Sequence, residues 1–514
     1  MASLLAFTIV GLALLALVLK LTRSLPPVPR GPELVMPEGP SELAEQIGVL
    51  TQQHVDLSGL HLLPVAVDAF AMRVALARSA QRTIDAQYYI WDGDLSGRML
   101  LSEIVAAADR GVRVRLLIDD NPTAGLDEMW AAVNTHSNIA VRLFNPLSIR
   151  SPRALNYLFD FPRLNRRMHN KSMTVDKVAT IVGGRNIGDH YFGAESHGLF
   201  IDLDALAIGK VVPDVAEEFD EYWTSESAYP AEALLKSSTR DGLDAVRSPK
   251  FENQELADAY REATEEAIAK LEPAYLEGRL LTWAPVRLVS DNPIKALNKA
   301  KRSDLLASQI APPILKASGR FDLISAYFVP SGPGSKMLED LAQRGVKVRV
   351  VTNSVQVSDV PLVHSGYAPY RKRLLRAGIR LFEARPLSEK DGRSRRHGST
   401  RFSGGGESVH AKTFTIDDRT LFVGSFNFDP RSALLNCEMG FLIDAPTLTE
   451  AFDRSLDEEL TETAYAVSLD ARGRLQWESR RGEGVKIFNV EPGTTVLKRA
   501  LLWFLSKLPI EWAL

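Results

Sequence analysis

The chain has only one cysteine, Cys437, among its 514 residues. One thiol closes no intramolecular disulfide and builds no cysteine-rich zinc site, so the composition suits a reducing compartment. Neither sign of charge is in excess: 61 Lys+Arg against 64 Asp+Glu leave a formal net charge of −3. A dedicated nucleic-acid binder carries a cationic surplus to neutralise phosphates, so no nucleic-acid partner is expected, although local basic patches stay open. With 45% hydrophobic and 24% charged residues the chain is ordinary globular protein, which excludes collagen, disorder and a multi-span membrane protein. At ~100–200 residues per domain, the length favours two to four domains.

The two ends read as membrane attachments. From Leu4 to Leu19 every residue is apolar, small or Thr8, close to the lower limit of ~17 residues for a spanning helix. No Lys or Arg precedes this run and no small-x-small cleavage site follows it, which favours an uncleaved anchor over a signal peptide. Lys20, Arg23 and Arg30 follow it, and the positive-inside rule then places the main body in the cytoplasm. Near the other end Val496, Leu497, Leu501, Trp503, Phe504 and Leu508 are interleaved with Lys498, Arg499 and Lys507. That pattern suits an amphipathic helix over 494–514 lying among lipid headgroups, or one docked on the protein's own core.

Between the ends one unit is written twice. IDAQYYIW (84–91) reads as a strand, Met99, Leu100, Ile104, Val105 and Ala108 as a helix, and VRVRLLI (112–118) as a second strand after the Gly111 break. FDLISAYFV (321–329), a helix around Met337, Leu338 and Leu341, and VKVRVVT after Gly345 repeat the plan. The expected fold is α/β, with two duplicated domains over 55–232 and 276–490, each a mixed sheet flanked by helices. Residues 233–275 are expected to be a helical connector, with Leu256, Tyr260, Ala263, Ala267 and Leu271 on one face. The Gly/Ser-rich basic stretch 387–408 reads as a surface loop.

The chemistry lies in a second repeat, where His169-x-Lys171-xxxx-Asp176 recurs as His410-x-Lys412-xxxx-Asp417. A strand's period of two points each His and its Lys to the same face. Downstream stand Gly183-Gly184-Arg185-Asn186 and Gly424-Ser425-Phe426-Asn427, where glycine allows close approach and the Asn amide can donate to an anionic oxygen. If the halves meet, two histidines, two lysines and two asparagines make a site for a phosphate ester, with no metal and no cofactor required. One imidazole can attack phosphorus while the other donates a proton to the leaving oxygen, and histidine's ordinary pKa of ~6.5 suits both tasks. An acceptor must hold each nucleophile's tautomer, and Asp202-x-Asp204 and Asn436-x-Glu438 are the candidates, with pairing expected to cross between halves.

Blander readings stand beside these. A single HxKxxxxD is weak, but two copies in register, each with a following asparagine, are not a coincidence of composition. Asp176 and Asp417 end their strands before charged residues, which favours a turn or ion-pair role over catalysis. Arg167 and Arg431 are candidate substrate binders, against the alternative of a solvated basic face.

The doubled motif with GGRN and GSFN resembles the phospholipase D superfamily from about residue 60 to about residue 465. Strings such as DAQYYIW, IVGGRNIGDHYF, DVPLVHSGYAPY and VGSFNFDPRSA resemble its bacterial cardiolipin synthase C-type branch. The resemblance implies one shared active site between domains related by a pseudo-twofold axis, and a metal-independent, two-step phosphatidyl transfer. It implies that His169 forms a phosphohistidine, that His410 acts as acid and then base, and that Lys171, Lys412, Asn186 and Asn427 hold the phosphate. It further implies that Glu438 orients His169 and Asp204 orients His410; Gly184 and Ser425 are candidate substrate contacts, the first copy departing from the family's pattern with Gly184 where the second has Ser425. Phospholipid substrates and the membrane are the expected partners, and the inner membrane the expected location. A lipid acceptor such as phosphatidylglycerol gives a cardiolipin synthase, and water gives a phospholipase D releasing phosphatidic acid. A nuclease and an idle lipid-binding protein are the more distant alternatives.

Overall fold

The computed structural model describes residues 39–194, 200–358, 360–386, 408–481, 484–508 and 511–513, with isolated positions before residue 39. The expected anchor over 1–25 and nearly all of the basic loop over 387–408 lie outside the described residues. Among the described residues no helix is long and apolar enough to cross a membrane.

Two mixed sheets carry the fold. The first runs Thr282–Ala284, Ser58–Leu63, Asp204–Gly209, Ala179–Gly183, Lys171–Val175, Thr83–Tyr88, Arg113–Asp119, Ile139–Phe144, Ala228–Pro230. The second runs Val286–Ser290, Met439–Asp444, Thr420–Gly424, Lys412–Ile416, Arg320–Ser325, Lys347–Asn353, Arg380–Ala384, Ala464–Leu469, Leu475–Arg481, Gly484–Phe488. From Ser58–Leu63 in one and Val286–Ser290 in the other, eight strands match place for place. In each half two neighbouring pairs are parallel and their partners antiparallel. Helices Leu95–Asp109 and Ser331–Gln343 make the first parallel crossovers. Gly111 (φ +100°) and Gly345 (φ +88°) end them in the left-handed region that glycine enters without cost, which accounts for Arg110-Gly111-Val112 recurring as Arg344-Gly345-Val346.

The segment read as a connector between the domains packs into the first of them. Helix Ala66–Ser79 is buried on nearly all sides, with Phe70, Met72, Val74 and Leu76 needing cover away from the sheet as well as on it. Helix Gln254–Leu276 supplies that cover with Tyr260, Ala267 and Leu271, each large side chain contributing about 1.5–3 kcal/mol by burial. Strand Thr282–Ala284 then pairs with Ser58–Leu63, so the chain leaves the first sheet only after Ala284.

The halves meet through the same pair of strands from each. Leu60, Val182, Ala205 and Ala207 share one apolar cluster with Leu421, Val423, Met439 and Phe441. Contact between like elements is the pattern of a twofold interface, and it brings the ends of the motif strands together.

Candidate active site

Each motif histidine arrives on an extended segment paired with the opposite half. Met168 bridges Cys437, and the His169 N–H donates to the Cys437 carbonyl at 2.8 Å. Val409 pairs with Ile201, and the His410 N–H donates to the Ile201 carbonyl at 2.7 Å. The next residue on each partner segment is an acid. Glu438 Oε2 lies 2.8 Å from His169 Nδ1, and Asp202 Oδ2 lies 2.5 Å from His410 Nδ1. With Nδ1 donating to a carboxylate, Nε2 of each ring is the basic nitrogen.

Lys171 and Lys412 are buried beside them. Lys171 donates to the His169 carbonyl at 2.5 Å, while Lys412 stands 2.7 Å from Nδ1 and 3.0 Å from Nε2 of His410. Burial lowers the pKa of His169 to about 4, aided by Lys171 and Lys412 and opposed by Glu438. Burial likewise lowers His410 to about 3, with Lys412 and Lys171 adding and Asp202 opposing. Each imidazole thus feels the lysine of the other half, and both are neutral near pH 7. Burial also holds Lys171 well below its ordinary value. Burial alone would raise Glu438, but His169, Lys171 and the Ser425 hydroxyl outweigh it and keep the carboxylate ionised. Lys412 and His410 do the same for Asp202.

Asp204 does not meet His410, contrary to the expectation. It accepts from the buried guanidinium of Arg73 at 2.9 Å and from the Arg185 N–H at 3.1 Å. Strand register gives the reason: Gly183 pairs with Asp204 and Gly424 with Gly440, so the position matching Glu438 is two residues before Asp204, at Asp202. Asp176 and Asp417 lie away from the histidines. Asp176 accepts from the N–H groups of Gln81, Arg82 and Thr83, and Asp417 from those of Ser318, Gly319 and Arg320. Both hold the turn that starts the neighbouring strand, at φ of +50° and +53°.

Four expected substrate contacts turn inward. Arg167 is buried against Asp119 at 2.7 Å and donates to the Phe144 and Asn145 carbonyls. Arg431 donates across the halves to the Asn165 carbonyl at 3.0 Å and to Asn436 Oδ1 at 3.3 Å. Ser425 Oγ donates to Glu438 Oε2 at 2.5 Å, and Gly184 faces the Asp202 carboxylate. Asn186 accepts from the Ile90 N–H and donates to the Tyr191 hydroxyl, while Asn427 accepts from the Tyr327 N–H.

Two tyrosines complete the surroundings and were not singled out by sequence. The rings of Tyr89 and Tyr191 stand edge-on to His169 and His410, each 5.1 Å between centroids. Both come from the first half, one before its motif and one after, so the repeat offers no spacing that would reveal them. Among the described residues no group of three or more His, Cys, Asp or Glu could hold a metal ion.

Two copies of one sheet, with a His–Lys pair of each facing an acid of the other, define a phospholipase D-like protein, and the chain belongs to that family. The family described as "Cardiolipin synthase, PLD-like domain" matches residues 74–223 and 310–460. Within it, the chain is 46% identical over 479 residues to cardiolipin synthase C of Escherichia coli (strain K12), covering 92% of this chain and 99% of that one. It is 26% identical over 396 residues to a cardiolipin synthase of Staphylococcus aureus (strain Mu50), covering 76% and 66%. The crystal structure of phosphatidylserine synthase from Haemophilus influenzae Rd KW20 shares the fold, with a TM-score of 0.55 at 13% identity over 91% of this chain and 99% of that one.

Proposed function

We propose that this enzyme is a phospholipase D-type phosphatidyltransferase that makes cardiolipin, with phosphatidylglycerol as a substrate. The observation that carries the reading is the crossed pair of contacts, His169 with Glu438 and His410 with Asp202. In the first step His169 Nε2 attacks phosphorus; the P–N bond forms, the P–O bond to the headgroup breaks, and His410 gives that oxygen its proton. In the second step His410 takes a proton from the acceptor hydroxyl, the new P–O bond forms, and the P–N bond breaks to free His169. Lys171 and Lys412 offset charge on the phosphoryl oxygens inside a buried site, where such charges act strongly. The phosphodiester anion in turn offsets the lysines, which raises the imidazoles toward the protonated state that His410 needs. No metal takes part in this scheme, so chelator leaves turnover unchanged.

The body sits at the cytoplasmic face of the inner membrane, held by the apolar run 4–19 and by the C-terminal helix Val496–Leu505. Support for the second attachment is its exposed stripe. Leu502 packs inward, but Leu497 is 79% exposed and Trp503 65% exposed, with Leu501 and Phe504 beside them. Lys498, Arg499 and Lys507 suit an anionic headgroup layer.

Incubating purified full-length protein with phosphatidylglycerol vesicles, with and without phosphatidylethanolamine, and identifying products by mass spectrometry tests the reading. Cardiolipin is the expected product. Phosphatidic acid alone would make the protein a hydrolase, and no lipid product would remove the proposal.

A further inference from the structure

Glu438 and Asp202 reach across to the opposite half, and each has its backbone held by one dedicated side chain. On the Glu438 side that residue is Asp291, buried one position beyond the end of strand Val286–Ser290. Its N–H donates to the Glu438 carbonyl at 2.9 Å, and its Oδ2 accepts from the Glu438 N–H at 3.0 Å. Its other oxygen accepts from the Leu306 N–H at 2.8 Å. Lys295 bonds Oδ2 at 2.8 Å and the Ser432 carbonyl at 2.9 Å, locking Asp291 to the helix that follows Asn427. Glu438 is therefore clasped through both backbone groups, with its side chain aimed at His169.

The other half solves the same problem differently. By register the residue facing Asp202, as Asp291 faces Glu438, is Val65, which has no carboxylate to clasp the backbone. Arg185 supplies donors instead, to the Asp202 carbonyl at 2.6 Å and to the Leu63 and Pro64 carbonyls at 2.7 Å each. It also donates to the carbonyl of Tyr191, whose ring abuts His410. The matching position in the second half is Phe426, which has no donor, and Asp291 lies outside both segments that match the family.

We infer that Asp291 and Arg185 are positioning residues, one per half, each acting on a histidine of the opposite half through the acid whose backbone it holds. Neither touches the reacting atoms. Displacing a catalytic group by about 1 Å costs on the order of 100-fold in rate. That loss should vanish once the intermediary carboxylate is already disabled, because two changes along one chain of contacts do not multiply.

The test is a pair of kinetic double-mutant cycles on full-length protein in phosphatidylglycerol vesicles, and it rests on the transferase reading above. Asp291→Asn and Arg185→Lys are each expected to lower kcat about 10- to 100-fold with KM changed less than about twofold. Added to Glu438→Gln, Asp291→Asn should cost less than about twofold more, and likewise Arg185→Lys added to Asp202→Asn. Multiplicative losses, or losses confined to KM, overturn the inference. If either variant lacks a cooperative melt, Lys295→Met or Arg185→Gln replaces it; failure of the replacement to fold also overturns the assignment, in favour of a purely structural role. Wild-type protein without turnover would remove the transferase reading itself, whereas active wild type with multiplicative variants removes only this inference.

Discussion

Gly184 leaves the space that the Asp202 carboxylate fills: a Cβ on Gly184 would stand 2.1 Å from Asp202 Oδ1. Ser425 holds the matching position in the other half, where its hydroxyl donates to Glu438. The two halves thus keep their acids in place by opposite means, an omitted side chain for the shorter acid and an added hydroxyl for the longer one.

Gly184→Ala should therefore cost far more turnover than Ser425→Ala, at a similar cost in stability. The added methyl must push Asp202 off His410, costing roughly 1–3 kcal/mol of stability and about 100-fold in turnover. Loss of the Ser425 hydroxyl removes one hydrogen bond to a charged group, about 1.5–3 kcal/mol. Turnover at saturating phosphatidylglycerol, with thermal melts showing that both variants are folded, checks the order; equal losses of turnover would contradict it.

Asp202→Asn and Asp204→Asn should separate the acid that orients His410 from the one that does not. The first removes the charge that holds His410 and should lower kcat; because that charge is buried against Lys412 and His410, it also lowers the melting temperature. The second breaks the buried pair with Arg73, a kind of loss worth about 3–5 kcal/mol. A kcat loss per folded molecule in Asp204→Asn equal to that in Asp202→Asn would restore Asp204 as the orienting acid.

Much of this was legible in the sequence because duplication repeats what chemistry requires. The doubled His-x-Lys announced two sheets and one basic site, and the Arg-Gly-Val repeat announced the crossover glycines. The partner of His410 was not legible: Asp202 and Asp204 sit on one short segment, and only the register of Gly183 with Asp204 decides between them. Helix Gln254–Leu276 looked like a connector because its polar face is extensive, whereas its destination depended on helix Ala66–Ser79 needing a second cover. Arg167 and Arg431 showed their charge in the sequence but not Asp119 and Asn165, the tertiary partners that occupy them.

Binding of a phosphate-like anion at about pH 5 should take up protons. In the unliganded protein burial, with the lysines adding, lowers His169 and His410 to about 4 and about 3, so both are largely deprotonated there. An anion between Lys171 and Lys412 offsets the lysine part of the shift and moves both values upward. Anion affinity must then weaken as pH rises from the unliganded values through the liganded ones and level off above them. Calorimetry with inorganic phosphate in buffers of different ionisation enthalpy measures the uptake; zero exchange or net release would contradict the assignment.

Asp417→Ala should destabilise without disabling the chemistry. Removing an acceptor for three backbone N–H groups costs about 1–3 kcal/mol, while turnover per folded molecule at low temperature should stay within a few-fold of wild type. A folded but inactive variant would return Asp417 to the catalytic set.

The central claim is that His169 and His410 act on one phosphorus atom. Brief incubation with phosphatidylglycerol labelled with ³²P, followed by alkaline quench, reads it directly. Wild type and His410→Ala should differ in rate but carry any covalent label on His169, His169→Ala should carry none, and both variants should fail to make cardiolipin. Near-normal cardiolipin formation by either folded variant would contradict the account.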